Sequence, residues 1–449
     1  MPNNYPIPLD AQTILERLKS AGYEAYLVGG FVRDILIGRE PSDCDITTNA
    51  TPGETQMVFR DCPTLDIGKA HGTIGVIMDK LYEVTTYRVD GTYSDGRHPD
   101  GVTFTRSLKE DLLRRDFRIN AVAMDLERNI QGVPGYEEDF KEHRITAVGD
   151  PEARFQEDAL RIMRGLRFAA QLDYRIEENT AAAIHRNRAL LGNIAAERIR
   201  VELDKTLTAP NPAPILREFR DVFAQVIPEL AETFDFGQNN PYHCYDVYEH
   251  ILHVVENIPP ERELRLAALF HDIGKPRCYT EDRGRGHFYH HEQVSADMTR
   301  TIMKRLRYDR KTTETVTQLV EVHGRVFNCT KKYARRQLSQ LGEEQTLRLI
   351  ALERADVLSQ APEYREERVQ NIDEFRRIVE QVAEEEGSFK LKDLAVKGTD
   401  LLALGIPQGP AIGEVLSSLF YMVLEEKISN QREELIRAAE EKWYGKRRS

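Results

Sequence analysis

The segment Ala25–Leu36 constrains the fold more than any other part of the chain. AYLV has the short apolar character of a buried strand over Ala25 to Val28; it meets two adjacent glycines, Gly29 and Gly30, and the helically spaced FVRDIL comes at once after them. The preceding AQTILERLKS spaces its apolar residues for an amphipathic helix. A strand that turns through a glycine pair into a helix brings backbone N–H groups and the positive helix end close to a ligand, and phosphate suits that place. Alone, the pair is equally satisfied by a tight turn, so the residues C-terminal to it decide the reading.

SDCDI sets Asp43 and Asp45 two residues apart. On an extended strand such residues share a face, about 6–7 Å apart. Two like charges there call for a cation, and Mg²⁺ is held by one or two carboxylates together with substrate phosphates. An acidic exposed turn is the plain alternative. TIGVIMD and LYEVTTYR flank Asp79-Lys80 as a hairpin, which would carry Glu83 beside the two aspartates to complete a two-metal site; a surface glutamate on an edge strand fits the same residue.

With DGVTFT as a further strand, residues 1–145 read as a small mixed sheet with helices, and from DPEARFQEDALRIMRGLRFAAQL onward the apolar spacing is helical. The expected fold class is α+β: a sheet-bearing head (1–145), a helical neck (146–235), a third unit (236–365) and a helical C-terminal region (366–449). Proline-rich and polar stretches such as FDFGQNNPYH and EDRGRGH interrupt the helical pattern. With 41% hydrophobic and 30% charged residues the chain can bury several cores, which excludes disorder as its main state. No apolar run approaches the ~18 residues of a membrane span, and the polar start lacks a signal-peptide pattern, so a cytoplasmic protein is expected. Five scattered cysteines without C-x-x-C spacing argue against a disulfide framework or a thiolate zinc site. The net charge of -12 repels a polyanion at long range, so nucleic-acid contact has to rest on local basic clusters.

Two later segments carry charge in patterned form. LLRRDFRINAVAMD gathers Arg114, Arg115 and Arg118 around Asp116 and Asn120, offering charge to a triphosphate and hydrogen-bond partners to a sugar; a charged helix start is the alternative. In EDALRIMRGLRFA, Asp158 and Arg161 share a face if helical, so that an acceptor and a planar set of donors point toward one base edge. Cytosine and adenine both present an exocyclic amine beside a ring nitrogen, which one such fork accepts. The competing reading is an ion pair between Glu157 and Arg161 at i,i+4, worth about 0.2–0.5 kcal/mol.

The order LVGGFVRD, SDCDI, RRDFRINA, EDALRIMRGLRFA, ERIRVEL resembles the class II tRNA nucleotidyltransferase and bacterial poly(A) polymerase family, within the DNA polymerase beta superfamily. KGTDLLALGIPQGPAIGEVL is similar to the family's C-terminal region. The resemblance implies a polymerase-beta-like head in which Gly29, Gly30 and Arg33 hold a triphosphate and Asp43, Asp45 and Glu83 are catalytic, the aspartates binding Mg²⁺. Arg115, Asp116 and Asn120 lie in the matching ribose-sensing motif. Glu157, Asp158 and Arg161 match the EDxxR motif that serves as template for the incoming base, with Arg164 also on the nucleotide side. The implied reaction is attack of an RNA 3′-hydroxyl on the α-phosphate of CTP or ATP, with tRNA as the partner.

The polar segment RVDGTYSDGRHPDGVTFTRSLKEDLL resembles the flexible loop of complete CCA-adding enzymes, and KWYGKRRS is too short a basic tail for a typical poly(A) polymerase. Addition of full CCA is therefore expected, by a monomer or homodimer, with a poly(A) polymerase or A-adding enzyme as alternative. A phosphohydrolase with an RNA-binding head is disfavoured by the complete acidic motif. Three basic runs offer contacts to an RNA backbone or ordinary solvated faces: Arg161, Arg164 and Arg167; Lys304, Arg305 and Arg307; Lys331, Lys332, Arg335 and Arg336.

NPYHCYDVYEHILHVV, LAALFHDIGKP, FYHHEQ and RADVLSQ place His250, His271, Asp272, His291 and Asp356 in a helical background. This resembles an HD-domain metal site, whose imidazole and carboxylate ligands suit Mn²⁺, Ni²⁺, Fe²⁺ or Mg²⁺ and phosphate-ester hydrolysis. His243, His253 and His290 are spare candidates.

Overall fold

The computed structural model describes residues 5–91, 101–386, 391–424 and 427–445. Part of the polar loop segment (92–100) and the end of the basic tail (446–449) lie outside these residues. The chain divides into two compact units, residues 1–231 with 304–308, and residues 232–303 with 309–449.

The first unit begins with helix α1 (Leu9–Ser20), whose Ala11, Ile14, Leu15 and Leu18 follow the i, i+3, i+4, i+7 rule and are fully buried in the head core. Then come β1 (Ala25–Val28), α2 (Gly30–Leu36), β2 (Asp45–Thr48), α3 (Pro52–Val58), β3 (Thr64–Gly68), β4 (Thr73–Ile77) and β5 (Leu81–Thr86). A short pair, β6 (Arg88–Asp90) with β7 (Val102–Phe104), leads through α4 (Leu108–Leu113) to β8 (Val122–Met124) and β9 (Ile130–Gly132). The seven-stranded sheet has the order β3-β4-β5-β2-β1-β8-β9, and the mixed character expected of the head comes from the parallel pairing of β2 with β5. The sequence-based hairpin about Asp79-Lys80 is present as β4–β5.

Register places the candidate site residues. β1 is antiparallel to both neighbours, with Val28 opposite Asp45 on β2 and opposite Ala123 on β8. The C-terminal end of β1, where Gly29 takes a left-handed φ of 68°, therefore meets the start of β2 on one side and the turn Arg118–Asn120 ahead of β8 on the other. Ile46 pairs with Val84, which sets Glu83 alongside Asp45.

Helix α5 (Tyr136–Lys141) precedes the neck helices α6 (Pro151–Glu157), α7 (Leu160–Leu172), α8 (Glu178–Asn187) and α9 (Ala196–Leu207), α7 packing on α9. The second unit is helical, with a separate apolar cluster around Leu401, Leu419 and Leu435 near its C-terminus. EDRGRGH does more than interrupt helices: Tyr279–Asp282 and Arg285–Phe288 form an antiparallel hairpin. Arg283 and Gly284 both take positive φ at its tip, the geometry of a two-residue primed turn. Among the described residues no helix is long and apolar enough to cross a membrane.

Candidate functional site

A cleft of about 540 Å³ opens at the C-terminal end of β1, lined by Gly29, Gly30, Asp43 and Asp45 on one side and by Arg33, Arg115, Asp116, Asn120, Asp158, Arg161 and Arg164 on the others. Asp43 does not share a strand with Asp45, as the two-residue spacing predicted. It lies ahead of β2, which begins at Asp45, because residues 41–44 run outside the sheet ladder. Both carboxylates nonetheless reach the same cleft. Asp45 is open to the cleft but crowded by protein on its other sides; that desolvation, then the charge of Glu83 and that of Asp43, push its carboxyl above the usual range, with Arg115 opposing. Such a site gains from a divalent cation. Glu83 is exposed and stands next to Asp45 without lining the cleft.

The facing wall is a chain of charged hydrogen bonds. Arg33 Nη1 donates to Asn120 Oδ1 at 2.9 Å, Asn120 Nδ2 donates to Asp116 Oδ1 at 3.2 Å, and Arg164 Nε donates to Asp116 Oδ2 at 2.8 Å. Burial pushes the Asp116 carboxyl up, but the Arg164 charge and the bonds from Arg164, Asn120 and the Phe117 N–H outweigh it and hold the group at about 2. A carboxylate, not an acid, thus sits beneath Asn120. Arg114 and Arg115 lean on the fully buried Asp111 at 2.8 and 3.2 Å rather than on Asp116. Arg118 is absent from the cleft lining, and its guanidinium instead lies against Gly135. A Cβ at Gly29 would stand 3.4 Å from Arg115 Nη1, and one at Gly30 3.6 Å from Arg33 Nη2, so the glycine pair leaves two guanidiniums close to the bend.

The segment expected to read the base departs from the helical geometry predicted for it. Asp158 and Arg161 are not on one helix: α6 ends at Glu157, Asp158 is extended (φ −141°, ψ 102°), and α7 starts at Leu160. The Asp158 carboxylate caps this start, accepting from Leu160 N–H at 3.0 Å, and pairs with Arg198 at 3.2 Å. Arg161 is paired with Glu157 at 2.6 Å, the ion pair weighed as the alternative reading. Arg161, Arg164 and Arg167 line the cleft instead of forming a solvated face. Of the other basic runs, Arg305 is committed to Glu229 at 2.6 Å and Lys331 to Glu385 at 2.7 Å. Phe168 and Arg198 also line the cleft and were not singled out from sequence. Guanidiniums of Arg33, Arg164 and Arg167 stand 5.2, 5.4 and 4.2 Å from the centroid of the Phe168 ring, which reads in sequence as an ordinary core aromatic.

A second cluster lies in the other unit, beside a cavity of about 470 Å³. His250, His271 and Asp272 gather their ligand atoms, as do Asp272, His291 and His323. Asp356 joins them through an oxygen 2.9 Å from His250 Nε2. All five sequence-selected residues come together, and His323 is an addition: a lone histidine before Gly324 with no adjacent acid, found only through three-dimensional convergence. Of the spare histidines, His243 and His290 line the cavity, while His253 pairs with Glu256 at 3.0 Å.

A glycine bend at a strand end, three neighbouring carboxylates and a wall of arginines in a mixed-sheet head define a nucleotidyltransferase. Comparison with known proteins agrees. Residues 25–146 match the poly(A) polymerase head domain, 173–234 the probable RNA- and SrmB-binding site of polymerase A, and 286–439 the putative tRNA nucleotidyltransferase domain 2. A CCA-adding enzyme of Enterococcus faecalis is 34% identical over 97% of this chain and 96% of its own, and one of Levilactobacillus brevis 35% identical over 95% and 96%. The crystal structure of the Bacillus stearothermophilus CCA-adding enzyme in complex with CTP is similar at a TM-score of 0.75, with 28% identity, 99% of this chain and 100% of that one covered. The chain belongs to the CCA-adding enzyme family. None of the three family descriptions names the His/Asp cluster.

Proposed function

We propose that the head cleft is where the chain adds CCA to the 3′ end of tRNA from CTP and ATP, the activity its family carries. The observation that carries the assignment is the convergence of Asp43, Asp45 and the Gly29-Gly30 bend on one cleft, with Glu83 at the neighbouring strand position. Backbone N–H groups at the bend, Arg33 and Arg115 bind the triphosphate. Asp43 and Asp45 would hold Mg²⁺, with Glu83 supporting them; the ion supplies acidification of the attacking hydroxyl and charge neutralisation at the leaving group. The 3′-oxygen bonds to the α-phosphorus, the bond to the bridging oxygen breaks, the hydroxyl proton passes to solvent and pyrophosphate leaves. Asn120, fixed by Asp116 and Arg33, meets the sugar. Asp158 and Arg161 read the base, exchanging their present partners Arg198 and Glu157 for the nucleotide. The names of the full-length relatives favour CCA over poly(A) or A-only addition. Incubation with tRNAs truncated before the first C, the second C or the terminal A, with CTP and ATP supplied separately, tests this. C addition to the first two and A addition to the third are expected; A-only or long-tail products would overturn it.

A second activity rests on the other cluster. His250, His271, Asp272, His291 and Asp356 would hold Mn²⁺, Ni²⁺, Fe²⁺ or Mg²⁺, and buried imidazole with carboxylate suits these ions. The reaction is phosphate-ester hydrolysis: water oxygen bonds to phosphorus, the ester P–O bond breaks, and a water proton ends on the departing oxygen. A His271→Ala/Asp272→Ala double variant should lose metal-dependent hydrolysis of 2′,3′-cyclic nucleotides and phosphomonoesters while retaining CCA addition; hydrolysis that survives would overturn the assignment.

A further inference from the structure

Three guanidiniums crowd one aromatic ring in the head cleft. Those of Arg33, Arg164 and Arg167 stand 5.2, 5.4 and 4.2 Å from the centroid of Phe168, and all four residues line the cleft. Arg164 and Phe168 share a face of α7 at i and i+4, while Arg33 reaches the ring from α2. The ring itself is fixed in place: Phe168 is only 5% exposed, and Phe117 packs edge-to-face on it at 6.0 Å. Gly165 makes room for that contact, since a Cβ there would stand 2.9 Å from Phe117 Cζ.

Like charges gathered in this way repel. Burial first, and then the Arg164 and Arg33 charges, push the Arg167 guanidinium below its ordinary range against the pull of Glu202 and Asp116. Each guanidinium has its own carboxylate: Asp34 lies 2.8 Å from Arg33 Nη2, Asp116 2.8 Å from Arg164 Nε, and Glu202 3.1 Å from Arg167 Nη1. These acids lie on α2, between α4 and β8, and on α9, so none of them gathers the arginines. The ring is the group the three share. A carboxylate in its place would bond the guanidinium N–H groups and compete with phosphate for them. A π face attracts the cations through its quadrupole and accepts none of the N–H groups lying in the guanidinium planes. In keeping with this, Arg167 Nε is buried with no hydrogen-bond partner among the described residues. Building on the reading of this cleft as the nucleotide site, we propose that Phe168 is a positioning residue for the triphosphate. Its ring gathers Arg33, Arg164 and Arg167 into a preformed cationic wall before the nucleotide binds, and CTP and ATP gain equally because they share the triphosphate.

The test places phenylalanine carrying one, two or three ring fluorines at position 168 of the full chain, which weakens the π face stepwise at nearly constant shape. Steady-state kinetics on truncated tRNAs should show KM for CTP and for ATP rising together, to about tenfold with three fluorines, while kcat stays within about twofold. Inorganic pyrophosphate, an inhibitor with phosphates and no base, should lose affinity by the same factor. Phe168→Leu should match or exceed the trifluorinated chain, and Phe168→Tyr, which keeps the π face, should stay near the unaltered one. KM values that ignore fluorination, whatever Phe168→Leu does, would show that the ring only fills space and would overturn the proposal. A rise for one nucleotide alone would also overturn it, by placing the ring on the base side. An unaltered chain that adds no nucleotide to tRNA would overturn the reading of the cleft and the role of the ring with it.

Discussion

Replacing Asp116 with Asn tests the electrostatics of the cleft wall quantitatively. The Asp116 carboxyl titrates at about 2 in the folded protein against a reference value of 3.8, despite a burial that works the other way. The difference corresponds to about 2 kcal/mol of stability carried by the ionised form. Proton counting gives the sign: the folded state binds this proton less tightly than the unfolded state, so the contribution is fully present above about pH 5. It shrinks to about 1 kcal/mol near pH 3 and disappears below pH 2. Asp116→Asn should therefore lower the melting temperature of the unit containing residues 1–231 by about 4–8 °C at pH 6, and by roughly half as much at pH 3. Tryptophan fluorescence identifies which calorimetric transition belongs to the other unit, because the single tryptophan, Trp443, packs in the C-terminal cluster of that unit. A shift under about 1 °C at pH 6, or one that does not shrink with acid, would show that the Arg164 and Asn120 contacts do not hold a charged carboxylate in place.

Asn120→Ala should raise the KM for CTP about tenfold with a smaller effect on kcat, since Arg33 loses its 2.9 Å contact and about 1.4 kcal/mol of positioning; steady-state kinetics on a truncated tRNA measures this. Arg161→Ala should cut the kcat/KM preference for CTP over UTP by about 10- to 100-fold, read from competition assays. Arg198→Ala should change that preference less than Arg161→Ala, because Arg198 acts through Asp158, 3.2 Å away. Gly29→Ala should cost about 1–2 kcal/mol in thermal unfolding, because φ is 68° and a Cβ would approach Arg115 Nη1 at 3.4 Å.

The elements with strong local signals were legible in sequence. The Ala25–Val28 strand, the Gly29-Gly30 bend and the β4–β5 hairpin are legible from residue order, because a short apolar run, alternating runs and turn residues specify them locally. The grouping of His250, His271, Asp272, His291 and Asp356 was legible for a different reason: metal-ligand residue types stand out against an apolar helical background. What was lost depends on long-range packing or on a break in periodicity. Asp158 sits where one helix ends and another begins, and the residues around it, FQEDALRIM, carry no glycine or proline to announce the break. His323 has no chemical companion within its own segment and acquires one only through Asp272, 3.6 Å away in space. Phe168 reads as a core aromatic, although three guanidiniums surround its ring.

The most direct measurement is incorporation of labelled CMP from CTP into tRNA lacking its CCA end, comparing the unaltered chain with the Asp43→Ala/Asp45→Ala variant at saturating Mg²⁺. Loss of incorporation by a factor on the order of 10³ or more, with the thermal transitions of both units retained, is expected if these carboxylates carry the metal chemistry. Incorporation within tenfold of the unaltered chain would place the reaction elsewhere in the molecule.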